Sequence, residues 1–442
     1  MGDGHRPLAA PERGALIGLV VGGERREAAE QSLEELAGLG AAAGATVVAR
    51  TLQERGRPDS ATFIGAGKVT SLAVLYAELD VDVVMVDAEL SPAQLRQLGE
   101  RLDRKVLDRT QLILDIFARR ARTREGRLQV ELAQLQYLLP RLTGSRSALS
   151  KLGGGIGTRG PGETKLETDR RRIRTRIQVL ERKIDQVRRR RDQLRERRQK
   201  RSVPTVALVG YTNAGKTTLF NRLTAEHAVV SDALFVTLDP LVRRVQLGDR
   251  RELLLSDTVG FIDRLPHALV AAFRATLEEL ADADLALHVI DGAAPDRARR
   301  VNAVRRVMDE VGASDVPVIE VINKTDEMAP DDVRRLLVTQ PDRVAIAARD
   351  GTGVAALVDT VVWRLALDTR RVTLTFDGAD ASDRRRIAKI YKVAKVVSHV
   401  TENGQVLIEA DVPRRLVERL RGRAASELVP GGAQPALRTK EN

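Results

Sequence analysis

Between residues 15 and 107, short apolar runs alternate with stretches whose apolar side chains recur every three or four positions. ALIGLVV (15–21), ATVVART (45–51) and VDVVMVD (81–87) predict strands, and 27–43, 67–79 and 92–102 predict helices. Successive strands separated by a helix run parallel, because the helix carries the chain back to the same starting edge. Residues 1–107 therefore predict an N-terminal parallel α/β domain. Within it, GAGK (65–68) resembles a phosphate loop. Val69 stands where a hydroxyl side chain should follow, however, and Thr62 stands five positions before Gly67 where a glycine is needed. That stretch predicts a turn opening a helix.

The period then changes. Leu128, Leu132, Leu135, Leu139 and Leu142 step by four and three, as do Ile173, Ile177, Leu180, Ile184 and Val187. Two such seams predict an antiparallel helical hairpin over 108–201. Its second helix, from near Thr168 to Lys200, would run roughly 50 Å. Between the seams lies LGGGIGTRGPGETK, with a formal G-x-G-x-x-G at Gly155, Gly157 and Gly160. A dinucleotide fingerprint needs a strand before it and a βαβ unit around it. Here a helical pattern precedes the glycines and Pro161 interrupts them, so the spacing is accidental and the stretch predicts a hairpin tip.

Charge sharpens that picture. The net charge is +12, yet residues 119–201 hold 26 Lys and Arg against 9 Asp and Glu, leaving the rest of the chain at −5. A cationic block on an otherwise acidic chain points to a polyphosphate partner, RNA or DNA. Candidate RNA contacts are Lys151, Arg159, Lys165, Arg170, Arg171 and Arg172 for phosphate. Gly153, Gly154, Gly155, Gly157, Gly160 and Gly162 would allow close backbone approach. Aromatics at 3% offer few stacking platforms for single-stranded RNA. There is no cysteine, hence no disulfide, thiolate nucleophile or cysteine-based zinc site. The chain shows neither a signal core nor an apolar run of the ~20 residues a membrane helix needs. A cytoplasmic protein without integral membrane association is expected.

The residues richest in chemistry fall in 202–368, which predict a P-loop GTPase domain. VPTVALVG reads as a buried strand and runs into Gly210-Tyr211-Thr212-Asn213-Ala214-Gly215-Lys216-Thr217-Thr218, a complete G-x-x-x-x-G-K-[ST]. Backbone N–H groups there would curl around phosphate, with Lys216 reaching the β- and γ-oxygens. FVTLDP supplies Phe235, Val236 and Thr237, and DTVG supplies Asp257, Thr258, Val259 and Gly260. Thr217, Thr237 and Asp257 are the expected Mg²⁺ ligands, and Lys216, Thr237 and Gly260 the expected catalytic contacts. NKTD follows the strand VPVIEVI. Asp326 can accept from the guanine N1–H and exocyclic amine, with Asn323 and Lys324 beside it, so GTP is favoured over ATP. Ala347 and Ala348 stand where a Ser-Ala guanine loop is usual, leaving only backbone contacts. Phe261 replaces the water-orienting Gln that often follows DTVG, which predicts slow intrinsic hydrolysis and a partner that completes the site. A partner arginine contributes about 10³–10⁵ in rate elsewhere, or roughly 4–7 kcal/mol.

Trp363 predicts a core anchor, and His267 and His288 have no ligand-spaced partners. VTLTF, RRRIAKIYKVAKVV and QVLIEA predict a small C-terminal α+β domain over 369–428, followed by a disordered tail over 429–442.

LGGGIGTRGPGETKLETDRRRIR (152–174), the approach over 108–142, GYTNAGKTTLFN, TLDP, DTVGFI and NKTD together resemble the HflX family of ribosome-associated GTPases, in the Obg–HflX group. The resemblance implies an α/β multidomain chain made of the four parts above. It also implies docking on the large ribosomal subunit and its RNA near the peptidyl transferase centre, splitting of stalled or idle ribosomes, and hydrolysis stimulated by the ribosome. A monomer when free is expected. The chain departs from the family at Leu241-Val242, where Thr-Thr is general, and at Ala347. Two alternatives stand beside this reading: a ribosome assembly GTPase that prefers immature particles, and a regulatory RNA-binding module in which hydrolysis is incidental. GTPases of the signal-recognition type are disfavoured, since their guanine motif begins with Thr rather than the Asn323 found here.

Overall fold

The computed structural model describes residues 11–23, 25–142, 161–201, 203–224, 234–235, 241–247, 251–258, 260–263, 280–340, 342–420 and 424–426, with backbone alone at 161–166, 190–201, 419 and 424–426. The N-terminal part strings together β1 (Glu12–Val21), α1 (Arg26–Ala42), β2 (Ala45–Arg55), α2 (Ala66–Glu78), β3 (Val83–Val86), α3 (Pro92–Leu102), β4 (Lys105–Asp108) and α4 (Arg109–Arg120). Its strands lie in the order β2-β1-β3-β4, all parallel. Every residue of β3 is buried, as expected for a parallel strand covered on both faces. α3 begins with a capping box: Ser91 Oγ accepts from Gln94 N at 3.2 Å, and Gln94 Oε1 accepts from Ser91 N at 3.0 Å. GAGK does open a helix, with Gly65 at the N-cap of α2. The chain leaves this layer later than the sequence suggests. β4 completes the sheet, and α4 packs on α1, so residues 108–120 lie with the sheet rather than with the hairpin.

The hairpin pairs α5 (Arg124–Arg141) with α6 (Pro161–Arg201). α5 buries Val130, Ala133 and Tyr137 and packs against both α4 and α6. α6 is 41 residues long, yet Leu180 is its only fully buried side chain among those described; Ile173, Ile177, Ile184 and Val187 are half-buried. A fork between Arg176 and Glu131, at 2.7 and 2.9 Å, supplements the thin seam. At the other end, Arg141 donates to Leu90 O (3.0 Å) and Asp108 Oδ2 (3.2 Å), tying the end of α5 to the N-terminal sheet. α6 starts at Pro161, earlier than expected, because proline is well suited to a first helical turn. Gly162 and Lys165 therefore stand in helical backbone rather than in a loop. Lys151, Gly153, Gly154, Gly155, Gly157, Arg159 and Gly160 lie outside the described residues.

The GTPase domain comprises β5 (Thr205–Gly210), α7 (Lys216–Thr224), β6 (Leu241–Gln246), β7 (Glu252–Asp257), β8 (Leu285–Asp291), α8 (Arg297–Glu310), β9 (Val318–Asn323), α9 (Pro330–Thr339), β10 (Val344–Ala345) and α10 (Val354–Arg364). The sheet order is β10-β9-β8-β5-β7-β6, with only β6 antiparallel to its neighbour. Trp363 is 60% exposed and is not a core anchor. α10 and the residue that caps it turn Leu357, Val361 and Leu365 inward, and Trp363 falls off that stripe.

The C-terminal domain holds β11 (Thr369–Asp377), α11 (Ala381–Val393), β12 (Lys395–Glu402), β13 (Gln405–Pro413), α12 (Arg414–Leu420) and β14 (Ala424–Ser426) as an antiparallel sheet ordered β12-β13-β11-β14. The helix expected to continue through VAKVV stops at Ala394, whose backbone is extended, and the β-branched pair Val396-Val397 enters a strand instead.

Candidate guanine-nucleotide site

Parallel strands collect their C-terminal ends on one edge, and β5, β7, β8 and β9 do so here. Leu208 sits opposite Asp257, Gly210 opposite Val289, and Asp291 opposite Asn323. Two loop glycines are obligatory. At Gly210 (φ +154°) a Cβ would lie 2.3 Å from Val289 O, and at Gly215 (φ +93°) 2.1 Å from Asn323 Nδ2.

Lys216 is only 6% exposed, and its Nζ donates to Gly210 O (3.1 Å) and Tyr211 O (2.8 Å). Burial pushes this ammonium down to about 8, opposed by the Asp257 carboxylate. It is a desolvated cation held by carbonyls, the state in which an incoming anion gains most. Thr217 Oγ1 donates to Asp257 Oδ2 at 3.0 Å. A hydroxyl and a carboxylate are hard oxygens that fit Mg²⁺, which takes its remaining ligands from phosphate and water. The described residues hold no cluster of three or more His, Cys, Asp or Glu. Thr237, with Val236 and Val259, lies outside the described residues.

Thr258 Oγ1 donates to Leu208 O at 2.6 Å, so that buried side chain braces the strand end rather than facing a ligand. Gly260 lies against the lysine head: a Cβ there would meet Lys216 Nζ at 3.1 Å. Thr212 N donates to Phe261 O (2.7 Å) and Phe261 N to Gly210 O (3.1 Å), fastening this stretch to the phosphate loop. The Phe261 ring is buried in core and offers nothing to orient a water.

At the guanine end Asn323 is a bridge. Its Nδ2 donates to Ala214 O at 2.8 Å, and its Oδ1 accepts from Ala348 N at 2.9 Å. Ala347 N donates to Thr352 O at 2.9 Å, so both loop amides named from the sequence are engaged, Ala347 within the loop and Ala348 by Asn323. Lys324, at φ +62°, holds Asp291 Oδ2 at 2.7 Å, and Asp326 is exposed in the 3₁₀ turn Thr325–Glu327. Asn213 is exposed at the loop apex, and Thr218 lies in the first turn of α7. Two contributors escaped sequence reasoning: Asp291, which steers Lys324, and Arg222, whose Nε donates to Ala348 O at 3.4 Å. Neither carries a spacing signal. Tyr211 and Phe235, expected beside the nucleotide, turn their rings into the core shared with α1 and α4.

On α6, Arg170 is half-buried while Arg171 and Arg172 are exposed. Arg171, Arg172, Thr175, Arg176 and Val179 line an open hollow of about 320 Å³.

Three family models cover the chain in series: a GTP-binding GTPase N-terminal region over 30–118, a GTP-binding GTPase middle region over 120–198, and a 50S ribosome-binding GTPase over 205–324. A GTPase HflX of Caldanaerobacter subterraneus is 43% identical, covering 95% of this chain and 96% of the relative. This chain belongs to the HflX family of GTPases. The HflX of Alkalihalophilus pseudofirmus is 50% identical over 71% of this chain and 74% of its own, and that of Escherichia coli 42% identical over 87% and 90%. As an HflX GTPase the protein binds GTP and hydrolyses it. No helix among the described residues is long and apolar enough to cross a membrane.

Proposed function

We propose that this HflX GTPase is a GTP-gated factor that docks on the large ribosomal subunit and separates stalled or idle ribosomes. The observation that carries the reading is continuity: the cationic α6 ends at Arg201, and the strand feeding the phosphate loop starts at Thr205. Nucleotide state at the loop is thereby linked to a helix suited to RNA phosphate. The match to a 50S ribosome-binding GTPase model supports the choice of partner.

In the proposed site, backbone amides over 212–217 and the Lys216 head hold the phosphates. Thr217, Asp257 and Thr237 hold Mg²⁺, which would neutralise charge developing on the β- and γ-oxygens. Gly260 N–H faces the γ-phosphate, and Asn323, Lys324 and Asp326 frame the guanine. With Phe261 buried, intrinsic hydrolysis is slow and the ribosome supplies what is missing. The arms of the hairpin and its glycine loop, including Lys151 and Arg159, meet the RNA. The protein acts as a cytoplasmic monomer.

Sedimentation with large subunits and intact ribosomes tests this, using a non-hydrolysable GTP analogue and then GDP. Analogue-dependent co-migration with large subunits and loss of intact ribosomes is the expected result. Binding indifferent to nucleotide, with ribosomes intact, overturns the gated mechanism. Lys216→Ala then separates a GTPase role from a pure RNA binder, which would keep its RNA affinity.

A further inference from the structure

The N-terminal domain reaches into the nucleotide site through one buried polar cluster. Tyr211, second residue of the phosphate loop, donates its hydroxyl to Glu35 on α1. The same oxygen accepts from Asp263 N at 2.8 Å, two residues beyond Phe261. Arg109, at the start of α4, is 3% exposed. Its guanidinium donates to Glu35, to Asp87 Oδ1 at 2.8 Å, and to Asp263 O at 3.2 Å. Arg299 completes the ring from α8, with Nε 3.4 Å from Asp263 Oδ2. Burial and the Glu35 charge raise the Tyr211 hydroxyl above the usual phenol range, so it stays protonated and donates.

The cluster therefore grips the backbone of residue 263 on both sides of its Cα, its N–H through Tyr211 and its C=O through Arg109. Residues 260–263 have no helix or strand of their own; backbone bonds from Phe261 to Gly210 and Thr212 hold one end, and this cluster holds the other. Gly260 immediately precedes the first of these anchors, beside the Lys216 head. Buried ion pairs add little net stability, because desolvation offsets their attraction. What such a cluster does supply is a fixed register between the parts it joins.

We propose that Tyr211, Glu35 and Arg109 are positioning residues that hold the Gly260 backbone ready for the γ-phosphate, so that the N-terminal domain sets the preference for GTP over GDP. The inference rests on Gly260 being the γ-phosphate contact. None of the three side chains needs to touch nucleotide for this. Glu35 acts from a helix 176 residues away in sequence. By linkage, whatever the clasp contributes to analogue binding, analogue binding returns to the docking of the two domains.

The test is equilibrium binding of a fluorescent non-hydrolysable GTP analogue and of fluorescent GDP to the full chain, with Mg²⁺ present. Tyr211→Phe and Glu35→Ala are each expected to weaken the analogue by about 5-fold or more, the lower end of typical coupling between sites. GDP binding should stay within about 2-fold, and the coupling should follow that same reciprocity. Glu35→Gln, which keeps an acceptor for the Tyr211 hydroxyl, should lie nearer the native protein than Glu35→Ala. If analogue and GDP affinities move together, or neither moves, the residues are structural and the inference fails. Tighter analogue binding in the variants overturns it too, since the clasp would then be holding the loop away from GTP. Gly260→Ala separates the two levels. If it leaves analogue affinity intact, the γ-phosphate reading of Gly260 falls and the inference with it. If it weakens the analogue while the clasp variants do not, only the clasp is wrong.

Discussion

Replacing Asn323 by alanine puts a number on the joint between the phosphate loop and the guanine loop. The side chain is 3% exposed and makes two hydrogen bonds, at 2.8 Å to Ala214 O and 2.9 Å from Ala348 N. Both partners belong to buried residues, so truncation leaves a carbonyl and an amide without water to replace the lost amide group. Each buried group left unsatisfied costs about 1–3 kcal/mol, so Asn323→Ala, which strands two, should destabilise the chain by about 2–6 kcal/mol. Asn323→Asp is sharper still. One oxygen can still accept from Ala348 N, but the other now faces Ala214 O where a donor stood. At neutral pH the aspartate should be at least as damaging as the alanine. Acidification should relieve it, because a protonated carboxyl can again donate to Ala214 O. That group's folded pKa would stand above its unfolded value, so its stabilising contribution is present at low pH and lost as pH rises through the folded value. Urea unfolding of the full chain at pH 7 and pH 5 reads stability, and fluorescent GDP titration reads the site. GDP affinity should fall at least about tenfold in both variants, equivalent to 1.4 kcal/mol of lost loop geometry. An alanine variant within about 0.5 kcal/mol of the native protein, the range of an inert surface change, would refute the reasoning. So would an aspartate variant insensitive to pH.

Burial pushes His288 down to about 4, far below the ordinary imidazole value of 6.5, so the folded chain keeps it neutral while the unfolded chain protonates it. Its contribution is lost as pH falls from 6.5 toward 4. His288→Leu should remove about 2.5 kcal/mol of the stability difference between pH 7 and pH 4.5, measured by urea unfolding at both. Trp363→Ala should change stability by no more than about 0.5 kcal/mol, because the ring stands on the outer face of α10; a large loss in thermal unfolding would contradict its exposure. Phe117 meets Phe235 edge-on with centroids 4.7 Å apart, and Phe117→Ala should cost about 3–5 kcal/mol in the same assay.

The nucleotide site was legible because its chemistry is local. Backbone amides around phosphate demand glycines at fixed spacing, and Gly210 ends β5, Gly215 ends the loop and Lys216 opens α7. The N-terminal strands and helices were legible from period alone. β4 was missed because KVLD runs directly into the apolar α4 without a turn residue between them. The end of α11 was misplaced because VAKVV suits either a helix or a strand, and pairing with β13 decides it. Trp363 was misread although its phase was available: Leu357, Val361 and Leu365 mark the inward stripe, and position 363 stands two residues off it. The bonds from Glu35 and Arg109 to the phosphate loop and its neighbour had no such signal. Their partners are 176 and 154 residues distant, joined only by the way two sheets dock.

That docking buries apolar side chains of both sheets in one cluster, in which Leu36, Leu39 and Phe117 from the N-terminal layer share a core with Tyr211, Phe235, Phe261 and Ile262. The C-terminal sheet instead closes a cluster of its own around Leu374, Phe376 and Ile408. The units that can be drawn as domains are therefore not the units that melt. Heating should give two calorimetric transitions, a large one in which the first two sheets come apart together and a small one for the C-terminal sheet. A fragment cut before Thr205 to isolate the GTPase sheet would carry Phe235, Phe261 and Ile262 into water and stick to other copies of itself.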